Sequence, residues 1–143
     1  MNSYHRLSTW LVSVFVVGAF AGLGCQNSTG IPTGEVTGVI TLNGQPAEGV
    51  SLRFVPESAM RPSLAITDSQ GKYRARFVST QTGVVLGPCV AQLSIYRGDS
   101  PTNFLPKRFN TEAHTNPEFH LDVTEAGAIF NFDIVYDGEI PDP

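Results

Sequence analysis

Gly38–Tyr73, GVITLNGQPAEGVSLRFVPESAMRPSLAITDSQGKY, decides the fold. Together with Val36 and Thr37, which precede it, the stretch holds short runs of period-2 alternation separated by turn residues, the pattern of β-strands rather than helices. Val36, Gly38, Ile40 and Leu42 alternate with Thr37, Val39 and Thr41. Asn43-Gly44 follows, and both residues tolerate the positive φ of a tight hairpin turn. Val50, Leu52 and Phe54 then share one face, with Ser51 and Arg53 on the other, and Pro56 closes the run because it has no N–H to donate. A third run places Leu64 and Ile66 opposite Ala65 and Thr67. Asp68-Ser69-Gln70-Gly71 has the Asp-first, Gly-last order of a type I turn. Beyond it Tyr73, Ala75 and Phe77 point inward, and Lys72, Arg74 and Arg76 outward. The apolar set of each run is the expected core.

The same pattern continues outward from this stretch. Ser79–Pro88 is expected to be a loop and Cys89–Arg97 a fifth strand, with Cys89, Ala91, Leu93 and Ile95 in phase. Gly98–Pro117 is long and irregular, with Pro101, Pro106 and Pro117 obstructing helix. Phe119, Leu121 and Val123 face opposite His120, Asp122 and Thr124. A last strand carries Phe130, Phe132 and Ile134 opposite Asn131 and Asp133. About seven short strands, without a competing amphipathic helix, predict an all-β, seven-stranded antiparallel sandwich.

Several of these residues carry a resemblance. Gly38, Ile40, Gly44, Pro46 and Gly49-Val50, followed by Thr67-Asp68, Gly71 and Tyr73, resemble the pattern of the carboxypeptidase regulatory-like, or transthyretin-like, β-sandwich family. Cys89 stands where that family usually has an aromatic residue. The resemblance runs from about Gly34 to Tyr136. It implies a Greek-key, prealbumin-like sandwich of the kind found in small bacterial envelope lipoproteins. Phe104–Phe109 resembles a family segment that packs an extended piece against the sandwich edge.

The first 24 residues read as a targeting segment. Arg6 lies in a polar start, and Trp10–Leu23 is an uncharged apolar run of signal-peptide length. Gly22-Leu23-Gly24-Cys25 resembles the lipobox of bacterial lipoproteins, which implies cleavage before Cys25 and lipidation of its thiol. An ordinary secretory signal or a short uncleaved anchor are the other readings. Residues 25–34 are then expected to be a flexible tether, 35–136 the domain and 137–143 an acidic tail.

The chain has 9 basic and 13 acidic residues. Loss of residues 1–24 removes only Arg6, leaving 8 against 13, a net charge of −5. That balance excludes a nucleic-acid surface, which needs clustered cations. It is also wrong for electrostatic binding to anionic lipid.

The candidate chemistry is sparse. Cys89 is in phase with core residues and is expected to pack as a small hydrophobe, unless an unlipidated Cys25 pairs with it. His114 and His120 lie six residues apart, short of the three or four converging ligands of a zinc site. Tyr96-Arg97-Gly98-Asp99 contains an adhesion-like tripeptide and resembles the terminal Y-R-G-S of transthyretin-related hydrolases, but here it ends a mid-chain strand. Asp133, Asp137, Glu139 and Asp142 lack the D-x-D-x-D-G spacing of a calcium loop. No catalytic residue, cofactor or metal is expected.

The leading expectation is a non-catalytic envelope lipoprotein, anchored to a membrane through lipid on Cys25. Its sandwich would serve as a binding or assembly module for envelope proteins, with Phe104 and Phe109 as partner contacts. The alternative is an exported domain that binds carbohydrate or a small ligand, and behind it a transthyretin-related hydrolase.

Overall fold

The computed structural model describes residues 30–58 and 60–141. The signal-like segment and Cys25 lie outside the described residues. Eight strands of three or more residues carry the fold: β1 Val36–Leu42, β2 Val50–Pro56, β3 Ser63–Ile66, β4 Lys72–Arg74, β5 Arg76–Val78, β6 Gly87–Ile95, β7 His120–Val123 and β8 Phe132–Ile134. Two-residue strands connect or extend them. Among the described residues the helical elements are three 3₁₀ turns, all within Lys107–Phe119. The chain is all-β.

One sheet is antiparallel throughout, in the order β7-β6-β2-β3-β5 followed by Gln81–Thr82 at its edge. The second sheet is built around β1. On one side β1 pairs antiparallel with β4 and with Gln45–Pro46. On its other side it pairs in parallel with Ala128–Ile129 and β8. The expected purely antiparallel arrangement therefore fails at β8. The chain returns alongside its own first long strand in the same direction, a long-range choice that local turn residues do not encode.

β4 and β5 form a corner. Lys72–Arg74 pairs with β1 in one sheet, whereas Arg76 pairs with Leu64 in the other. Ala75 sits between them, its N–H donating to Val36 O at 2.9 Å and its carbonyl accepting from Gly83 N at 2.8 Å. One continuous run thus joins the two sheets.

Side chains from both sheets fill a single core in which Ile40, Val50, Leu52, Phe54, Leu93, Ile95 and Ile134 are fully buried. An aromatic chain crosses it. Tyr73 stacks on Phe54 at 5.9 Å, Phe54 meets Phe130 edge-on at 6.3 Å, and Phe130 stacks on Phe132 at 5.9 Å. Phe132 then meets Phe119 at 4.8 Å and Phe109 at 6.3 Å. The Tyr73 hydroxyl donates to the Phe130 carbonyl at 2.8 Å. Gly38 lies under this contact, and a Cβ there would collide with the Phe130 carbonyl oxygen.

The turns form as read. Asn43 and Gly44 have φ of 49° and 79°, the left-handed pair of a type I′ hairpin. Asp133 secures that hairpin, accepting from Thr41 Oγ1 at 2.6 Å and from Gly44 N at 2.9 Å. These two donors favour the ionised carboxylate and hold its pKa below the usual value of 3.8. The Asp68 carboxylate accepts from Gln70 N and Lys72 N at the other turn.

The third run corrects the sequence reading. The alternation in β3 is present, but its phase is reversed: Ser63, Ala65 and Thr67 are buried, while Leu64 and Ile66 are 58% and 69% exposed. Directly paired residues share a face. Leu52 pairs with Ala65 and Phe54 with Ser63, so the inward large residues of β2 sit beside small ones on β3. Thr67 is held inside by its hydroxyl, which accepts from Val50 N at 2.8 Å and donates to Ala47 O at 2.6 Å.

Contacts with the sheets and core also continue on either side of 35–136. Thr33–Gly34 pairs with Val84–Val85, and Pro32 O accepts from Leu86 N. At the other end Ile140 packs on the core and Pro141 O accepts from Arg97 Nε at 3.0 Å.

Candidate functional site

The reversed phase of β3 creates the surface feature on which a binding site can be built. On the outer face of the antiparallel sheet, register places Gln92, Arg53, Leu64, Arg76 and Thr82 in one row across five strands. Leu64 is thus flanked by two arginines. The next row carries Ser94, Ser51 and Ile66.

Beside these rows lies a cleft of about 490 Å³, floored by Leu64, Ile66 and Phe77 and walled by Arg61, Arg74 and Arg76. No acidic side chain lines it. Arg61 stands over the Phe77 ring with its guanidinium carbon 5.9 Å from the centroid, a cation–π contact that places the charge at the rim. Arg74 is partly neutralised by Glu35, 3.0 Å away, with both side chains more than half exposed. An exposed pair of this kind contributes little to stability. Arg61 and Arg76 have no carboxylate partner among the described residues. The cleft therefore combines exposed aliphatic surface with exposed cations, which suits an anionic group attached to an apolar body.

Within the described residues, the expected site residues fall elsewhere. Phe109 is buried on Phe119 and Phe132, under the Arg108 guanidinium at 4.6 Å, and has little surface to offer a partner. Phe104 is half-buried, its N–H donating to Ile95 O at 2.9 Å. Phe104–Phe109 is not a single extended piece, since Lys107–Phe109 turns as a 3₁₀ helix and tucks Phe109 inward. Cys25 is outside the described residues.

No family model, curated protein or solved structure matches the chain.

His114 and His120 do not converge side chain to side chain: His120 Nε2 lies 3.0 Å from the His114 carbonyl oxygen, and His114 Nδ1 lies 3.1 Å from that of Thr111. Among the described residues no three His, Cys, Asp or Glu side chains are grouped to hold a metal. Arg97 acts as a strut. Its guanidinium donates to the carbonyls of Pro141, Glu48 and Tyr96, which ties the C-terminal segment to the Ala47–Gly49 loop.

Cys89 is free and buried in the core. Burial, with the carboxylates of Asp122 and Glu57 adding to it, pushes the thiol up to about 12 and suppresses the nucleophilic thiolate. Burial likewise raises the pKa of the Tyr73 phenol, keeping it a neutral donor.

Arg61, Leu64, Ile66 and Arg76 were not singled out by sequence. A signal for them existed. In a hairpin closed at Asp68–Gly71, Leu64 falls opposite Arg76 and so shares its outward face.

Proposed function

We propose that this chain is a non-catalytic envelope lipoprotein whose β-domain is a binding module, with the Arg61–Leu64–Arg76 cleft as its binding surface. The single observation that carries the binding reading is that cleft: exposed leucine and isoleucine bordered by three guanidinium groups, of which Arg61 and Arg76 have no carboxylate partner among the described residues, in a chain of net charge −4. The chemistry selects an anionic amphiphile. Charge attracts it, and the aliphatic floor takes up its apolar part.

The anchor reading is supported by the apolar run Trp10–Leu23 ending at Cys25. Intact mass of the protein from its membrane fraction tests it. A diacyl- or triacyl-glyceryl increment that disappears in Cys25→Ser is the expected result, and an unmodified mature chain overturns it.

Titration of the full chain with octyl phosphate and octyl glucoside, followed by calorimetry, tests the cleft. Octyl phosphate is expected to bind at least tenfold more tightly, an advantage lost in Arg61→Gln/Arg76→Gln. Equal binding of the two amphiphiles removes the role assigned to the arginines.

A carboxypeptidase regulatory-like sandwich remains our proposal for the finer fold. It is supported by the roles of its signature positions: Asn43-Gly44 turns, Gly38 admits a carbonyl, Thr67 clamps Ala47 and Val50, and Tyr73 bridges to Phe130. An experimental structure showing the connectivity of that family is its test.

A further inference from the structure

We infer that the occupant of the cleft face is the anionic headgroup layer of the anchoring bilayer, so that the domain lies on the membrane by this one face. This rests on the lipid anchor at Cys25 proposed above.

The first argument is position. The start of the described chain is fastened to the edge of the antiparallel sheet, where Gln81 Nε2 donates to Ile31 O at 2.8 Å and Thr33 Oγ1 donates to Thr82 O at 3.0 Å. Thr82 pairs with Arg76, and Arg76 with Leu64. At about 4.8 Å between strands, Leu64 lies roughly 10 Å from the strand to which the N-terminal segment is fastened. Five peptide steps separate Cys25 from Gly30. A residue spans at most about 3.6 Å, so Gly30 stays within about 18 Å of a lipidated Cys25 whatever path the segment takes. The sheet edge is therefore kept within about 18 Å of the anchor, close enough for its neighbouring outer face to reach the bilayer surface.

The second argument is composition. Seven large apolar side chains are exposed among the described residues, and three of them belong to this region: Leu64 and Ile66 on the face and Ile31 at the fastened edge. Arg53, Arg61 and Arg76 surround the aliphatic pair. Exposed aliphatics among cations are the pattern of surfaces that sit in the headgroup region. There the aliphatic groups leave water and the arginine stems reach along them to phosphate.

Screening bears on the conflict with net charge. A domain of net charge −5 is repelled as a whole, but screening limits each charge to a range of about 8 Å in physiological salt. The arginines around Leu64 are within that range when this part of the face lies down, and Glu57 and Asp122, which register places on the same outer face, lie roughly 13 Å further along the strands from the Arg53 row. Because the anchor already confines the domain near the bilayer, a weak intrinsic attraction is enough to fix its orientation.

The test uses the full chain, purified from its membrane fraction and reconstituted into vesicles of phosphatidylcholine with 30% phosphatidylglycerol. An environment-sensitive fluorophore is placed on Ser79→Cys, at the cleft, or on Gln45→Cys, in the hairpin of the other sheet. A headgroup nitroxide lipid is the quencher. Quenching at position 79 is expected to exceed that at 45 at least threefold. The contrast should vanish in 0.5 M NaCl, in pure phosphatidylcholine and in Arg61→Gln/Arg76→Gln. Equal quenching at the two positions overturns the inference. So does a fluorophore at 79 that is shielded from water yet unreached by the lipid quencher, which assigns the face to an acidic protein or a second copy. The intact mass of the same preparation separates the two readings. If Cys25 carries lipid and the contrast is absent, the orientation fails while the anchor stands. If Cys25 carries none, the anchor fails, and flotation of the protein with anionic vesicles decides the face, with no flotation overturning it.

Discussion

Strands β2 and β3 lie side by side and obey the same alternation, yet they place their large residues on opposite faces. β2 buries Leu52 and Phe54 completely and exposes Arg53. β3 exposes Leu64 and Ile66 and buries Ser63 and Ala65. The difference shows that period identifies a strand but leaves its phase to the partner. Once Phe54 and Leu52 occupy the core, the directly paired positions have room only for small side chains. The surplus aliphatic surface of β3 is turned outward, between arginines, where it becomes the candidate binding face.

The sharpest way to break this comparison is to truncate each strand in turn. Phe54→Ala removes a fully buried ring that touches Tyr73 and Phe130, and urea unfolding is expected to show a loss of about 3–5 kcal/mol. Ile66→Ala, one strand away, is expected to change stability by no more than about 0.5 kcal/mol. A comparable loss at both positions would mean that Ile66 is core.

The next effect comes from enlarging the small side. Ala65→Leu places three extra heavy atoms beside Leu52 and is expected to destabilise by about 1–3 kcal/mol. A neutral result would show slack in the core at this point.

A smaller effect concerns acid. Thr41 Oγ1 and Gly44 N stabilise ionised Asp133, so its folded-state pKa lies below the unfolded one. A depressed carboxylate pKa contributes stability above the unfolded value and loses it as pH falls through the folded one. Stability of the wild type is therefore expected to fall more steeply below about pH 4 than that of Asp133→Asn, measured by thermal unfolding across the acid range. Identical acid limbs would remove Asp133 from the account of the Asn43–Gly44 hairpin.

An effect of opposite sign is expected at Ser63. Its hydroxyl is fully buried without a hydrogen-bond partner among the described residues. Ser63→Ala is expected to be neutral or to stabilise by up to about 1 kcal/mol, because it removes an unsatisfied polar group at nearly constant volume. A clear loss would reveal a partner for that hydroxyl.

The features legible in the sequence are those whose cause is local. Asn43-Gly44 and Asp68–Gly71 announce their turns through residue type, and the inward faces of β2, β6 and β7 follow from their own alternation. The parallel union of β8 with β1 is set by packing between segments about ninety residues apart, and no turn residue reports it. The burial of Phe109 is not legible, because a ring in a proline-bearing loop gives no hint that Phe119 and Phe132 will surround it. The cleft combines both difficulties. Arg61 comes from a connection, Arg76 from beyond a corner, and the exposure of Leu64 and Ile66 depends on what β2 buries.

The parallel seating of β8 beside β1 also bears on how the domain is made. Ile40 pairs with Phe132 and Leu42 with Ile134, so the first long strand stays open on one side until nearly the whole chain is present. Closing such a distant contact is slow compared with forming hairpins. A chain made N-terminus first thus cannot finish folding until its last strand is present. A chain ending before Phe130 would lack β8 and two rings of the aromatic core, Phe130 and Phe132, the second of which packs against Phe109.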